Sequence, residues 1–359
     1  ETTQKAISPA DGSVMHDAVR NSGAIYANGG TVVMTARAAA NVVDHVVNMD
    51  GVIQANSVAQ KGGTIILSGG NSGVVKVSGK VYAKGNSSSS KGGKVQITGE
   101  KVGIFAGADV DASGIAGGGE ILIGGDYQGK NPNVQNAQAT YVDQNTTIKA
   151  DAIENGDGGK VILWADNVTR AYGTISARGG AQGGDGGLIE TSGKNYLDAN
   201  GISVNLKSID GKVGTWLLDP TNIYIAANQS NATAAGMSGT NTSANTGSGG
   251  NPNIFQASGS IQDSLLTTAS LNTALATANV VVTTASSGNG AGNITVVDPI
   301  SWASSNTLTL TAANNIALNS AITTGATGSA LILNAAGTVT QGGSGGANAN
   351  RISGSGALI

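Results

Sequence analysis

The chain has 359 residues, a length that allows about two domains of ordinary size. Charged residues make up 11% of it, against a usual share of about 25%, while 39% is hydrophobic and 56 residues are glycine. Such a chain is too apolar and too weakly charged to stay disordered, and its net charge of −3 argues against nucleic acid as a partner. No apolar run approaches the ~18 residues of a membrane-spanning helix. With no cysteine, disulfides and thiolate metal sites are excluded. The chain opens at Glu1 without a signal segment and closes inside a strand-like pattern, which predicts a piece excised from a longer protein.

From the N-terminus onward, a turn-plus-strand phrase keeps returning: NGGTVVMT at 28–35, KGGTIILS at 61–68, KGGKVQIT at 91–98, GGGEILIG at 117–124, NGDGGKVILW at 155–164 and DGGLIETS at 185–192. A shorter phrase precedes each one, as in GAIYA at 23–27 and GVIQA at 51–55. Its β-branched centres are Ile25, Ile53, Val81, Val110, Ile148 and Ile175, at intervals of 28, 28, 29, 38 and 27 residues. A third phrase completes the period, as in GVVKVSG at 73–79, KVGIFAG at 101–107 and NVTRAYG at 167–173. Three short strands per repeat predict stacked coils of a parallel β-solenoid.

Strand alternation then sorts residues by face. Each centre, with the alanine two residues on, points inward: Ile53 with Ala55, Val81 with Ala83. So do Val32 and Met34, Ile65 and Leu67, Val95 and Ile97, Ile121 and Ile123, and Val161 and Leu163. Stacking like on like predicts a narrow aliphatic interior without large aromatics, with glycine at the corners. One outward row runs Thr31, Thr64, Lys94, Glu120, Lys160, Leu188; its charged members read as a ladder of surface ion pairs, with a sugar-binding strip as the competing reading. The next runs Val33, Ile66, Gln96, Leu122, Ile162, Glu190, and its apolar members predict either a covered flank or a contact surface.

Insertions such as KGNSSSSK at 84–91 and RGGAQGGD at 178–185 fall at one corner, where ligand contact is expected. The largest, at 126–145, accounts for the 38-residue interval and carries Tyr127 and Tyr141. It is predicted to fold back as an ordered cover over Leu122 and Ile162, leaving Val33 and Ile66 more open. Lys94, Glu120, Lys160, Tyr127 and Tyr141 are the surface candidates for ligand contact.

The densest apolar patch, GTWLLDPTNIYIA at 214–226, is followed by a change of character. From 221 to 359 only Asp263, Asp298 and Arg351 are charged. The composition predicts a β-helix over 1–225, a polar linker over 226–280, and further coils over 281–359. Leu266, Leu271 and Leu275 suggest a short helix near 263–278, capped by Asp263 or Ser264.

The phrases at 123–143, 158–180, 186–198 and 214–225 together resemble large exoproteins of two-partner secretion in Gram-negative bacteria, the filamentous-haemagglutinin-like adhesins that include biofilm-matrix adhesins. The resemblance covers most of the chain. It implies an all-β, right-handed parallel β-helix, export through an outer-membrane partner, a secreted or cell-surface location, and a role in attachment or aggregation. In that resemblance the stretch before DGVI at 50–53 fits the segment that follows the family's secretion domain, and the secretion domain itself is expected to be absent. NPNV at 131–134 and NPNI at 251–254 look like that domain's short Asn-Pro-Asn motif, but their context is that of Asn-Pro turns. The implied partners are extracellular polysaccharide, a host-surface glycan or protein, or a second copy.

Other chemistry finds little support. A polysaccharide lyase or hydrolase on the same fold is the competing function, yet the sequence offers only Asp111 beside Lys149 in one outward row, and His16 and His45 in different coils. No cofactor is implied. NGDGG and GGDGG at 155–159 and 183–187 are similar to calcium-binding repeats, but those recur about every nine residues, and these sit a full coil apart. Glycosylation sequons, at Asn86, Asn167 and elsewhere, are frequent enough to arise by chance.

Overall fold

A computed structural model describes residues 5–37, 42–58, 62–238, 252–255, 263–285, 290–342 and 352–359. The chain winds as a parallel β-helix. Three sheets form its walls, of twelve, seven and eleven strands, and a three-stranded sheet continues the position of the seven-stranded one. Coil after coil, one strand joins each wall, as with Lys101–Ile104, Asp109–Asp111 and Glu120–Ile123. All pairing between named strands is parallel, and the right-handed winding is the one parallel crossovers adopt. Eleven stacked strands make a rod of about 50 Å. No helix among the described residues is long and apolar enough to cross a membrane.

The register follows the sequence repeat. Ile25, Ile53, Val81, Val110, Ile148, Ile175 and Val204 stand opposite one another in the seven-stranded sheet. From Ile53 to Ile175 their side chains have no solvent exposure. A single core runs from Val32 to Leu331. Two large aromatics join it, contrary to the purely aliphatic interior expected. Trp216 is fully buried in the last coil of the seven-stranded sheet and donates Nε1–H to Thr191 Oγ1 at 2.9 Å. Trp302 does the same to the Asn306 carbonyl. Each indole finds an acceptor, so its burial leaves no donor unpaired.

The boundary expected near 225 is crossed by two sheets and one core without a break. What changes there is the order of strands. Ile223–Ala226 is laid down one layer ahead, and Ser264–Thr267 then returns to fill the gap between it and Tyr196–Asp198. This extra strand is why one wall has twelve members. Helix Thr268–Leu275 follows at once and replaces a strand in the wall, packed between Ser203–Asn205 and Ile300–Trp302. Leu271, Ala274 and Leu275 face the core. The helix is shorter than expected and is capped by Thr267, because Asp263 and Ser264 precede and enter a strand. A second helix, Gln229–Ala234, was not legible in the pattern; Asn228 caps it through the Asn231 N–H at 3.0 Å. Residues 239–251 and 256–262 of the expected polar linker lie outside the described residues, while Ile254 and Phe255 cover Phe105, Tyr141 and Tyr196 on the twelve-stranded wall.

The inward and outward assignments predict unequal sensitivities. Ile53→Ala should cost about 2–5 kcal/mol, the usual range for a buried aliphatic, whereas Gln54→Ala, half-buried on the outer face, should cost well under 1 kcal/mol, as surface changes generally do. Urea denaturation of both variants checks this, and equal costs would reverse the faces.

Candidate ligand-binding site

The insertion leaves the eleven-stranded sheet after Ile123 and rejoins the twelve-stranded sheet at Ala139–Val142. It is therefore shorter than 126–145, since its expected second half is an ordinary coil strand paired with Lys101–Ile104 and Val168–Ala171. Tyr141 belongs to that strand. It is 1% exposed, packs on Phe105 and donates to Asp143, so it is not a surface candidate. Tyr127 lies in the insertion and is 42% exposed.

The cover expected from this segment is present. Leu122 and Ile162 are fully buried with Val134 and Trp164, while Val33 is 56% exposed and Ile66 half-buried. The insertion is pinned along the rod: Gln135 Nε2 donates to the Gly70 carbonyl at 2.8 Å, and Asn136 Nδ2 to Asp166 Oδ1 at 3.0 Å. Gly129 lies on the indole of Trp164, where a Cβ would stand 2.4 Å from Cε2, and its φ of +62° also favours glycine. NPNV forms a plain turn, with Val134 N–H donating to the Asn131 carbonyl at 3.1 Å and Asn133 N–H to Asn131 Oδ1 at 3.0 Å.

The charge ladder has the expected register. Glu120 accepts Lys94 at 2.8 Å and Lys160 at 2.6 Å, and Lys160 also reaches Asp126 at 3.1 Å, tying the ladder to the insertion. Burial pushes the Glu120 and Asp126 carboxyls up, but the lysines and other donors outweigh it and hold both below their ordinary values. The pairs are part-exposed, so each is worth at most about 1 kcal/mol. Asp111 stands beside Lys149 in the register, as expected, while its ion pair is with Lys84 at 2.9 Å. In the glycine-aspartate phrases, Asp157 Oδ1 accepts the Asp185 N–H, and Asp185 Oδ1 accepts the Lys212 N–H, each at 2.8 Å. Both carboxylates thus staple one corner to the next.

The last member of the apolar row is the unusual one. Glu190 stacks on Ile162 with no solvent exposure, and both its oxygens share the Gln128 N–H at 3.0 and 3.2 Å. Gln128 is the only non-glycine with positive φ among the described residues, at 53°. Burial pushes the Glu190 carboxyl up to about 7, against the opposing pull of that N–H and with help from the nearby charges of Asp219 and Asp126.

Beyond the insertion opens a cleft of about 450 Å³, lined by Gln128, Lys130, Asp166, Lys194, Asp219 and Ala313 among others. Its floor is the corner between the eleven- and twelve-stranded walls, taken from successive coils: Asp166 follows Lys160–Ala165, Lys194 follows Leu188–Gly193, and Asp219 follows Thr215–Leu218. An asparagine ladder holds this corner, with Asn195 donating to Asn167, Asn222 accepting the Asn293 N–H, and Asn293 accepting the Asn315 N–H. None of the cleft's charged residues was picked out from the sequence. Their signal is there, in WAD, SGK and LLD at strand ends, but a corner row has no hydrophobic alternation to draw attention to it.

No family model matches the chain, and no curated protein matches it. Among solved structures it is similar to the HMW1 secretion domain from Haemophilus influenzae, at 32% identity and a TM-score of 0.45, over 56% of this chain. This chain spans about half (49%) of that domain's length.

Because the folded chain keeps the Glu190 proton above the ordinary value of 4.5, this group's stabilisation is full below about pH 4.5 and is lost as pH rises through about 7. Amides of 125–138 should therefore exchange faster at pH 8 than at pH 5 once intrinsic rates are divided out, and Glu190→Gln should shrink that difference. An undiminished difference in the variant would assign it to another group.

Proposed function

We propose that this chain is a rigid rod segment of a secreted bacterial adhesin of the two-partner type, serving attachment or aggregation rather than catalysis. The carrying observation is the continuous stack: one core, two walls that run without a break, and charges tied off in a ladder between coils. The resemblance of the motifs at 123–143, 158–180, 186–198 and 214–225 supports the same reading. In it the full-length protein leaves through an outer-membrane partner and meets polysaccharide, a host surface or another copy outside the cell.

A polysaccharide-degrading enzyme is the second reading, and one observation favours it: the cleft gathers Asp166 and Asp219 with Lys130 and Lys194. Against it, Asp166 is already engaged by Trp164 Nε1 and Asn136 Nδ2, both at 3.0 Å. Glu190, whose carboxyl titrates near neutrality as a general acid should, is fully buried and cannot touch a substrate. Beads coated with the purified chain should adhere to polysaccharide-coated or cell-coated surfaces, or to one another, and leave the polysaccharides uncut. Release of new reducing ends or unsaturated products would establish the enzyme instead, and beads that attach to nothing would refute the adhesive reading.

A further inference from the structure

We propose that the corner groove beside the insertion is the adhesive site, and that it takes an extended, uncharged polysaccharide chain with Asp219 as the principal hydroxyl acceptor. The proposal rests on the adhesive reading and names its ligand.

Four observations point to that ligand. The first is shape. The lining residues Asp166, Lys194, Asp219, Ala285 and Ala313 come from the same corner of successive coils. At one strand spacing per coil the floor is about 19 Å long, which suits a linear polymer better than a compact molecule. The second is charge. Two aspartates and two lysines line the groove, so neither a polyanion nor a polycation gains a net attraction there. The third is an unmet need. Asp219 is half-buried, and among the described residues one hydrogen bond reaches it, from Gln128 Nε2 at a long 3.3 Å. Burial holds its carboxyl above the ordinary value. A desolvated carboxylate with spare acceptor capacity favours a ligand that brings donors, and vicinal hydroxyls bring them without charge. The fourth is the far end, where Ala285 and Ala313 offer small apolar surface to the C–H face of a sugar ring.

A peptide strand fits less well. It would bind by extending a sheet edge, and this corner presents side chains and turns whose backbone groups are already bonded in the asparagine ladder. The roof also suits a binding site, because Gln128 and Lys130 are joined by a 2.7 Å hydrogen bond and Gln128 is held from below by Glu190. The groove is thus formed before any ligand arrives, which keeps the ordering cost of binding low.

The test is an array of neutral, amino-sugar and uronic-acid oligosaccharides, probed with the purified chain and with Ala313→Trp, Asp219→Ala and Tyr26→Ala, whose melting temperatures are compared with wild type. Neutral glycans should bind. Ala313→Trp, which fills the groove, and Asp219→Ala should each weaken binding by about tenfold or more, while Tyr26→Ala, exposed on a different wall, should leave it unchanged. If Ala313→Trp does not fold, Asp219→Ala decides alone. Retention of charged glycans only, or full binding by a folded groove variant, overturns the site and ligand. Beads that attach to a surface while the array stays empty overturn the groove proposal and leave the adhesive reading standing.

Discussion

The structure depends on one constraint: in a parallel stack every residue sits directly on its counterpart one coil away. Strand spacing fixes that distance at about 4.8 Å, so side chains of like shape stack most readily inside. Ile53 on Val81 on Val110 satisfies it with aliphatic groups of similar size, and Ala55 on Ala83 on Ala112 does so with small ones. The same rule makes polar rows costly or useful according to what stacks. Lys94, Glu120 and Lys160 alternate in charge and pair; the asparagines at the opposite corner pass hydrogen bonds from coil to coil.

From this regularity come the two places where the rod departs from it. The insertion after Ile123 covers an outward apolar row that would otherwise face water, and it does so by clamping coils on both sides of its own. The displaced strand Ile223–Ala226 and the helix Thr268–Leu275 form the second departure. There the chain skips a layer, makes an excursion and returns to fill the gap. The core tolerates the change because the helix contributes a leucine-rich face of its own, and the neighbouring coil supplies Trp216 as bulk. The insertion roofs the corner groove, and the displaced strand Ile223–Ala226 starts just past Asp219 on its floor, so irregular parts of the sequence border a cleft on an otherwise open rod.

Glu190 shows how a repeat can carry a tunable element. Its row holds Leu122 and Ile162, and the repeat places a carboxyl where an aliphatic would fit. The cover above it then has to meet an acidic group with a single N–H, at a residue whose backbone is itself in an uncommon conformation. One contact of the insertion with the rod thus rests on a single buried carboxyl. In Gln96, one coil below Leu122, the same row carries a neutral polar group and lies half-buried.

Sequence alone determined the coil, its three walls, the inward rows and the register of the charge ladder, because each is a nearest-neighbour property that a period near 28 residues writes directly into the chain. It also determined that Leu122 and Ile162 need a cover, since an apolar outward row cannot face water at length. Tertiary structure decided which residues provide that cover, that Tyr141 lies in a wall strand beneath other aromatics, and that Ser264–Thr267 slips behind Ile223–Ala226. It decided as well that Asp166, Lys194 and Asp219 share a groove with Gln128. These depend on how far an irregular segment travels along the rod before it finds its partners, and a loop's path has no period to read.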